Sequence, residues 1–150
     1  VSNSDSPMPS AQAIIDALKL QPHPEGGWYI QTFKDEAGSD GRARSTAIFY
    51  LLEEGSRSHW HRVDAVEIWH YHAGAPLELS LSMDGIDSRT LVLGPEILAG
   101  QTPQGIVREG EWQSARSLGA WTLVGCTVAP GFEFSGFEMA PPDWQPGAST

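Results

Sequence analysis

The hydrophobic pattern changes period once along the chain. At residues 11–20 the apolar positions Ala11, Ile14, Ile15 and Leu18 keep the spacing of one helical face, with Asp16 and Lys19 off it. Ser10 stands where an N-cap belongs, and Pro22 and Pro24 bar continuation, so the pattern predicts a short helix over 11–20. Beyond it the period is two. β-Branched and aromatic runs separated by Gly, Pro, Asp or Ser fall at 28–33, 43–52, 58–60, 66–72, 77–83, 88–93, 105–107, 111–114, 120–128 and 134–139. The Asp84-Gly85 step predicts a hairpin turn between two of them. So many short strands in a row predict a sandwich or a barrel closed on itself. Residues 1–9 read as a disordered leader, 10–140 as a single domain, and 141–150 as a Pro-rich tail lying loosely over the surface.

Composition narrows the function classes. The chain has 150 residues, of which 40% are hydrophobic and 19% charged, enough to bury one ordinary core. With Cys126 as the single cysteine, neither an intrachain disulfide nor a cysteine-based zinc finger can form. A formal net charge of -10 repels phosphate backbones and anionic lipid, so neither nucleic acid nor a membrane is an expected partner. No apolar run reaches the length of a membrane-spanning helix, and the polar N-terminus carries no signal-peptide pattern. A cytoplasmic location is the expectation.

The chemistry concentrates in residues 58–74, which hold four of the five histidines. On an extended strand, positions two apart share a face, so His59 and His61 are expected to aim at one interior point, with Glu67 closing a three-ligand face. Imidazole and carboxylate with open positions suit iron, manganese, nickel or zinc; the other reading is a polar lining without metal. If Glu67 faces inward with Trp69 and Tyr71, then His70 and His72 face outward. His23 beside Pro24 reads as ordering a loop. The run Glu25-Gly26-Gly27-Trp28 is either a plain turn or a place where backbone approaches a ligand, with Glu25 and Trp28 at the pocket mouth. Arg44 and Arg62 are candidates to hold an anionic ligand group, and Cys126 reads as a buried, inert thiol.

The spacing Gly55-x3-His59-x-His61-x5-Glu67-x6-Gly74 resembles the first motif of the cupin superfamily. The segment corresponding to its second motif is Arg108-Glu109-Gly110-Glu111-Trp112-Gln113, where Gly110 matches, Arg108 replaces the usual proline and Gln113 stands where a histidine ligand usually does. Within that superfamily the chain resembles the small Cupin-5 branch of unknown function. The resemblance rests on His23-Pro24-Glu25-Gly26-Gly27, on 58–74, and on Cys126-Thr127-Val128-Ala129-Pro130-Gly131-Phe132. It implies an all-β jelly-roll barrel, the cupin double-stranded β-helix, with one short N-terminal α-helix. It also implies a small-molecule pocket with His59, His61, Glu67 and Gln113 as a metal set, and Tyr50, Trp69, Trp112 and Phe132 as walls.

Two functions follow from the resemblance. One is an enzyme of isomerase, epimerase or oxygenase type, using one divalent transition metal or none. In the metal-free version, similar to deoxysugar epimerases, His61 takes a proton beside a carbonyl, Tyr50 or Tyr71 returns one, and Glu67 completes the site. The other is a non-catalytic cupin that holds a small polar or sugar-like molecule. A homodimer is expected, with 11–20 and 28–33 crossing to the partner.

Overall fold

A computed structural model describes residues 8–148, so the leader's residues 1–7 lie outside the described residues, as do 149–150 of the tail. Helix α1 (Ala11–Leu18) begins at Ser10, whose Oγ accepts the Ala13 N–H at 3.1 Å. It ends before the predicted 20 because Lys19 turns to a left-handed φ of 59°. A two-residue strand, β1 (Gln21–Pro22), follows; it is too short to leave a periodic signal. Then come β2 (Trp28–Lys34), β3 (Thr46–Glu53), β4 (Arg57–Val63), β5 (Val66–Gly74) and β6 (Leu77–Ser82). The rest are β7 (Arg89–Leu93), β8 (Gln104–Val107), β9 (Trp112–Ser117), β10 (Trp121–Ala129) and β11 (Phe137–Met139).

One sheet runs β1-β2-β3-β10-β5-β8 and the other β11-β4-β9-β6-β7, all neighbours antiparallel, the crossed strand order of a jelly-roll barrel. Between the sheets the alternation holds. Tyr50, Leu52, Trp69, Leu77, Leu79, Leu81, Leu93 and Val124 form the inner cluster. Strand β10 is apolar on both faces for a reason: α1 lies on its outer side. There Ile15 and Leu18 pack with Leu51, Trp121 and Leu123 of the same chain.

Three local expectations are corrected. The predicted strand 134–139 divides into a 3-10 turn at Phe134–Gly136 and the short β11. The Asp84-Gly85 connection is wider than a two-residue hairpin, and Asp84 Oδ1 accepts the N–H groups of Ile86 and Asp87, each at 2.9 Å. The tail is fastened rather than loose: Trp144 packs on Trp60 and Trp112, with ring centroids 6.0 and 4.7 Å away. The Gly147 N–H also donates to Gly85 O at 2.9 Å.

Along β3, the barrel fills from one end. Tyr50 and Leu52 join the inner cluster, whereas Thr46 and Ile48 border a cavity at the other end. The closed end carries the stability. Leu79→Ala, at a side chain with no exposed surface, should cost about 2–5 kcal/mol of unfolding free energy in urea titration. A loss below about 1 kcal/mol would contradict a packed plug at that end.

Candidate functional site

A β-bulge shapes the site. Opposite β9, Ser58 pairs with Ala115 and His61 with Gln113, so β4 carries one more residue than its partner between those points. The extra residue reverses the alternation: Ser58, His61 and Val63 are all buried. His59 is turned out, its Nε2 2.9 Å from Pro141 O, and Trp60 lies under Trp144. His59 and His61 therefore do not converge, contrary to the expectation from strand spacing.

Next to the bulge lies the turn 23–27. His23 N–H donates to Gly27 O and Gly26 N–H to His23 O, while the His59 N–H donates to Glu25 O at 3.0 Å. Tyr50 donates its hydroxyl to Gly26 O. The turn lies so flat that a Cβ on Gly27, at φ +79°, would meet Leu51 O at 2.8 Å and the Tyr50 hydroxyl at 2.9 Å. This close approach drives the Glu25 carboxyl into the barrel, where 9% of the side chain remains exposed. Ser58 Oγ donates to Glu25 Oε2, and His61 Nε2 stands 3.5 Å from the same oxygen. Glu25 Oε1 is 3.4 Å from His23 Nδ1, which also accepts the Glu25 N–H at 3.1 Å.

These groups open on a cavity of about 240 Å³. Its depth holds Glu25, His61, Glu67, Cys126 and His23, and its walls include Ile48, Val63, Val128, Phe132 and Phe134. Glu67 faces in and His70 faces out, as strand parity requires; His70 Nε2 sits 3.0 Å from Thr127 Oγ1. Burial pushes the Glu25 carboxyl up to about 8, opposed in part by the Ser58 and Tyr50 hydrogen bonds. Burial also raises Glu67 and lowers His61, while burial and the neighbouring His61 lower His23 to about 4. Both rings are thus neutral at pH 7. His61 Nδ1 lies 2.7 Å from His59 O, which fixes the proton on Nδ1 and leaves Nε2 bare toward Glu25.

The four-residue metal set is not assembled. His59 points away, and Gln113 is spent at both ends: its amide oxygen accepts Trp69 Nε1–H at 2.8 Å and its NH2 donates to Glu67 Oε1 at 2.9 Å. Among the described residues no three His, Cys, Asp or Glu side chains are grouped to hold a metal ion. The donor set therefore does not fit a resident metal.

Other expected site residues also lie elsewhere. Trp28 packs beside α1, with its Nε1–H donated to Glu53 Oε1 at 2.9 Å, so it is outside the pocket mouth. Arg44 is exposed and paired with Asp35 at 3.2 Å. Trp112 is on the outside of β9, under the Arg62 guanidinium at 4.4 Å, and Arg62 is further occupied by Glu138 at 2.8 Å. Trp69 lies in the core behind the cavity and Tyr50 beneath the Gly26-Gly27 turn; Phe132 lines the wall. Sequence reasoning gave no cavity role to His23 and Cys126, which line it, nor a role to Ser58, whose hydroxyl holds Glu25. All three stand within the quoted motifs, but the spacing alone does not bring them together.

The buried carboxyl has a stability signature. Glu25 is raised from an ordinary 4.5 in the unfolded chain, so its contribution is complete below that value and is lost as pH rises toward 8. Between about pH 5 and 7.5 the wild-type protein should lose stability relative to Glu25→Gln by about 1.4 kcal/mol per pH unit, read from urea titrations at each pH. A pH-independent difference between the two proteins would show that Glu25 ionises normally.

The comparisons agree with this architecture. The family model described as Cupin superfamily (DUF985) matches residues 12–140. A protein of Shewanella oneidensis known from an X-ray crystal structure is 36% identical, with 89% of this chain and 85% of that one covered at a TM-score of 0.84. A hypothetical protein from Leishmania major is 30% identical, with 88% of each chain covered and a TM-score of 0.79. An oxalate decarboxylase of Bacillus subtilis, in a variant with tyrosine in place of one tryptophan, is 11% identical over 79% of this chain and 29% of its own, at a TM-score of 0.60, a likeness of fold alone. Comparison with curated proteins gives no match. No helix among the described residues is long and apolar enough to cross a membrane. From the family model and the Shewanella and Leishmania relatives, the chain belongs to the cupin superfamily's DUF985 family.

Proposed function

We propose that the cavity binds a small molecule and that Glu25 and His61 together exchange a proton with it, making the protein a metal-free acid–base enzyme of the isomerase or epimerase type. The observation that carries this is the pairing itself: a buried carboxyl titrating near neutrality, 3.5 Å from a bare imidazole nitrogen, at the depth of a cavity. A carboxyl that holds its proton near neutrality can give one, and the bare imidazole nitrogen beside it can take one. His61 Nε2 is the base toward the ligand, the Glu25 carboxyl its acid partner, and Ser58 holds that carboxyl in place. Tyr50, expected to return a proton, is instead a positioning residue, since its hydroxyl is donated to Gly26 O and burial holds it protonated. Glu67, bonded to Gln113, supplies a second polar group rather than the proton. The metal-dependent and oxygenase versions rest on a ligand set that the bulge and the Gln113 bonds take apart.

The competing function is binding without chemistry, and one experiment separates them. Small molecules that raise the melting temperature of the wild-type protein are incubated with it in D2O and followed by proton NMR. The enzyme reading expects one carbon-bound hydrogen to exchange, with the rate falling about a hundredfold or more in His61→Asn and in Glu25→Gln. Ligands that bind yet never exchange would contradict it and leave the carrier reading.

We also propose that two copies pair through the outer face of the six-stranded sheet. One cross-strand row there reads Phe33, Ala47, Thr127, Ile68 and Ile106. Its two ends, Phe33 and Ile106, are 53% and 51% exposed. Sedimentation should give a dimer for the wild-type protein and a monomer for Ile106→Glu; a monomeric wild type would sink this pairing.

A further inference from the structure

We infer that the cavity is built for a small organic cation, an ammonium or amidinium group carried on a short apolar body. The inference deepens the reading of the cavity as a ligand site and rests on that reading, though not on the proton transfer. It starts from a count of hydrogen-bonding capacity at the cavity's depth. The Ser58 hydroxyl is spent on Glu25, the Gln113 NH2 on Glu67, and the His61 Nδ1–H on His59 O. Acceptors outnumber the donors left over: both carboxyl groups keep acceptor oxygens whether or not they hold a proton, and the bare His61 Nε2 borders the space, which Tyr29, Gln31 and Thr46 also line.

His61 supplies the second, independent observation. The residue is 1% exposed, its Nδ1 is engaged, and its Nε2 has Glu25 Oε2 at 3.5 Å, too far for a good hydrogen bond. His61 lines the cavity, so this nitrogen is an acceptor that a ligand there can reach. A ligand that fits must bring N–H groups inward.

Charge decides between a neutral donor and a cationic one. No Lys or Arg lines the cavity, while Glu25 and Glu67 both do. A carboxylate or phosphate ligand would leave water and meet no cation in return. An ammonium turns the same feature to advantage, because it stabilises a carboxylate that burial otherwise disfavours. Around the walls Phe132, Phe134 and Tyr29 present aromatic surface, which attracts a cation and covers a short hydrocarbon body. The chain's net charge of -10 draws cations toward the mouth.

The test uses three probes of one shape, benzylammonium, benzyl alcohol and benzoate, titrated into the full-length wild-type protein at neutral pH by calorimetry. The expected order is ammonium first, by about tenfold over the alcohol, with benzoate weakest. Glu67→Gln, and separately Glu25→Gln, should reduce the preference for ammonium over alcohol at least severalfold. The wild-type ranking decides the matter alone, so the test does not depend on either variant folding. Equal or tighter binding of the alcohol or of benzoate overturns the cation assignment and leaves the cavity reading standing. Silence from all three probes overturns both.

Discussion

A carboxyl group taken out of water beside an imidazole must either keep its proton or share it, and the barrel is arranged around that constraint at Glu25. Removing the carboxyl from solvent raises its affinity for a proton; removing the His61 ring lowers that of the imidazole. The two effects reverse the usual order, so that the carboxyl, raised to about 8, holds a proton more tightly than the imidazole beside it. At neutral pH the proton rests on Glu25, and His61 Nε2 is left free to accept one. Neither group achieves this alone, and neither would in water.

The surrounding framework keeps that pair at one distance. Ser58 and His61 reach the interior together because β4 bulges between them. Glu25 meets them because the His23-Gly27 turn is pressed onto β3 and β4 by contacts with Tyr50 and His59. From the far side, Trp69, Gln113 and Glu67 form a buried chain of hydrogen bonds that joins core to cavity. Each such bond contributes about 1 kcal/mol net, but leaving one of its members unpaired would cost more. Phe137 completes the enclosure, its ring 5.3 Å from that of His61. Rigid walls around a titratable pair are what a proton-transfer site requires.

Much of the framework was legible in the sequence, because alternation reports which face a strand residue takes. Glu67, Trp69 and Tyr71 face in and His70 faces out, and Ser10 caps the helix whose periodic stripe packs on Leu51 and Trp121. Cavity residues were less legible. A bulge leaves no periodic trace, so His59 and His61 looked equivalent when one belongs to the surface and the other to the interior. Gln113 looked like a weakened ligand because its partner Trp69 lies 44 residues away, beyond any local pattern. Glu25 was noticed for its neighbouring glycines, but its depth depends on a turn folding back against β3 and β4. Long-range contacts of this kind are set by packing, not by spacing. Trp144 makes the same point on the outside, where a tail that reads as loose finds an indole-sized place between Trp60 and Trp112.

The family's shared fold sets no chemistry by itself, since jelly-roll barrels host many unrelated sites. The chemistry proposed for this chain rests on the protonation state its interior imposes. Nitrogen-15 NMR of the histidine rings tests that most directly, because the shifts of the two ring nitrogens report both charge and tautomer. At neutral pH His61 should be uncharged, with the proton on Nδ1 and Nε2 bare, and should stay so to a lower pH than a free imidazole does. A cationic His61 ring, or one carrying its proton on Nε2, would contradict the account at its centre.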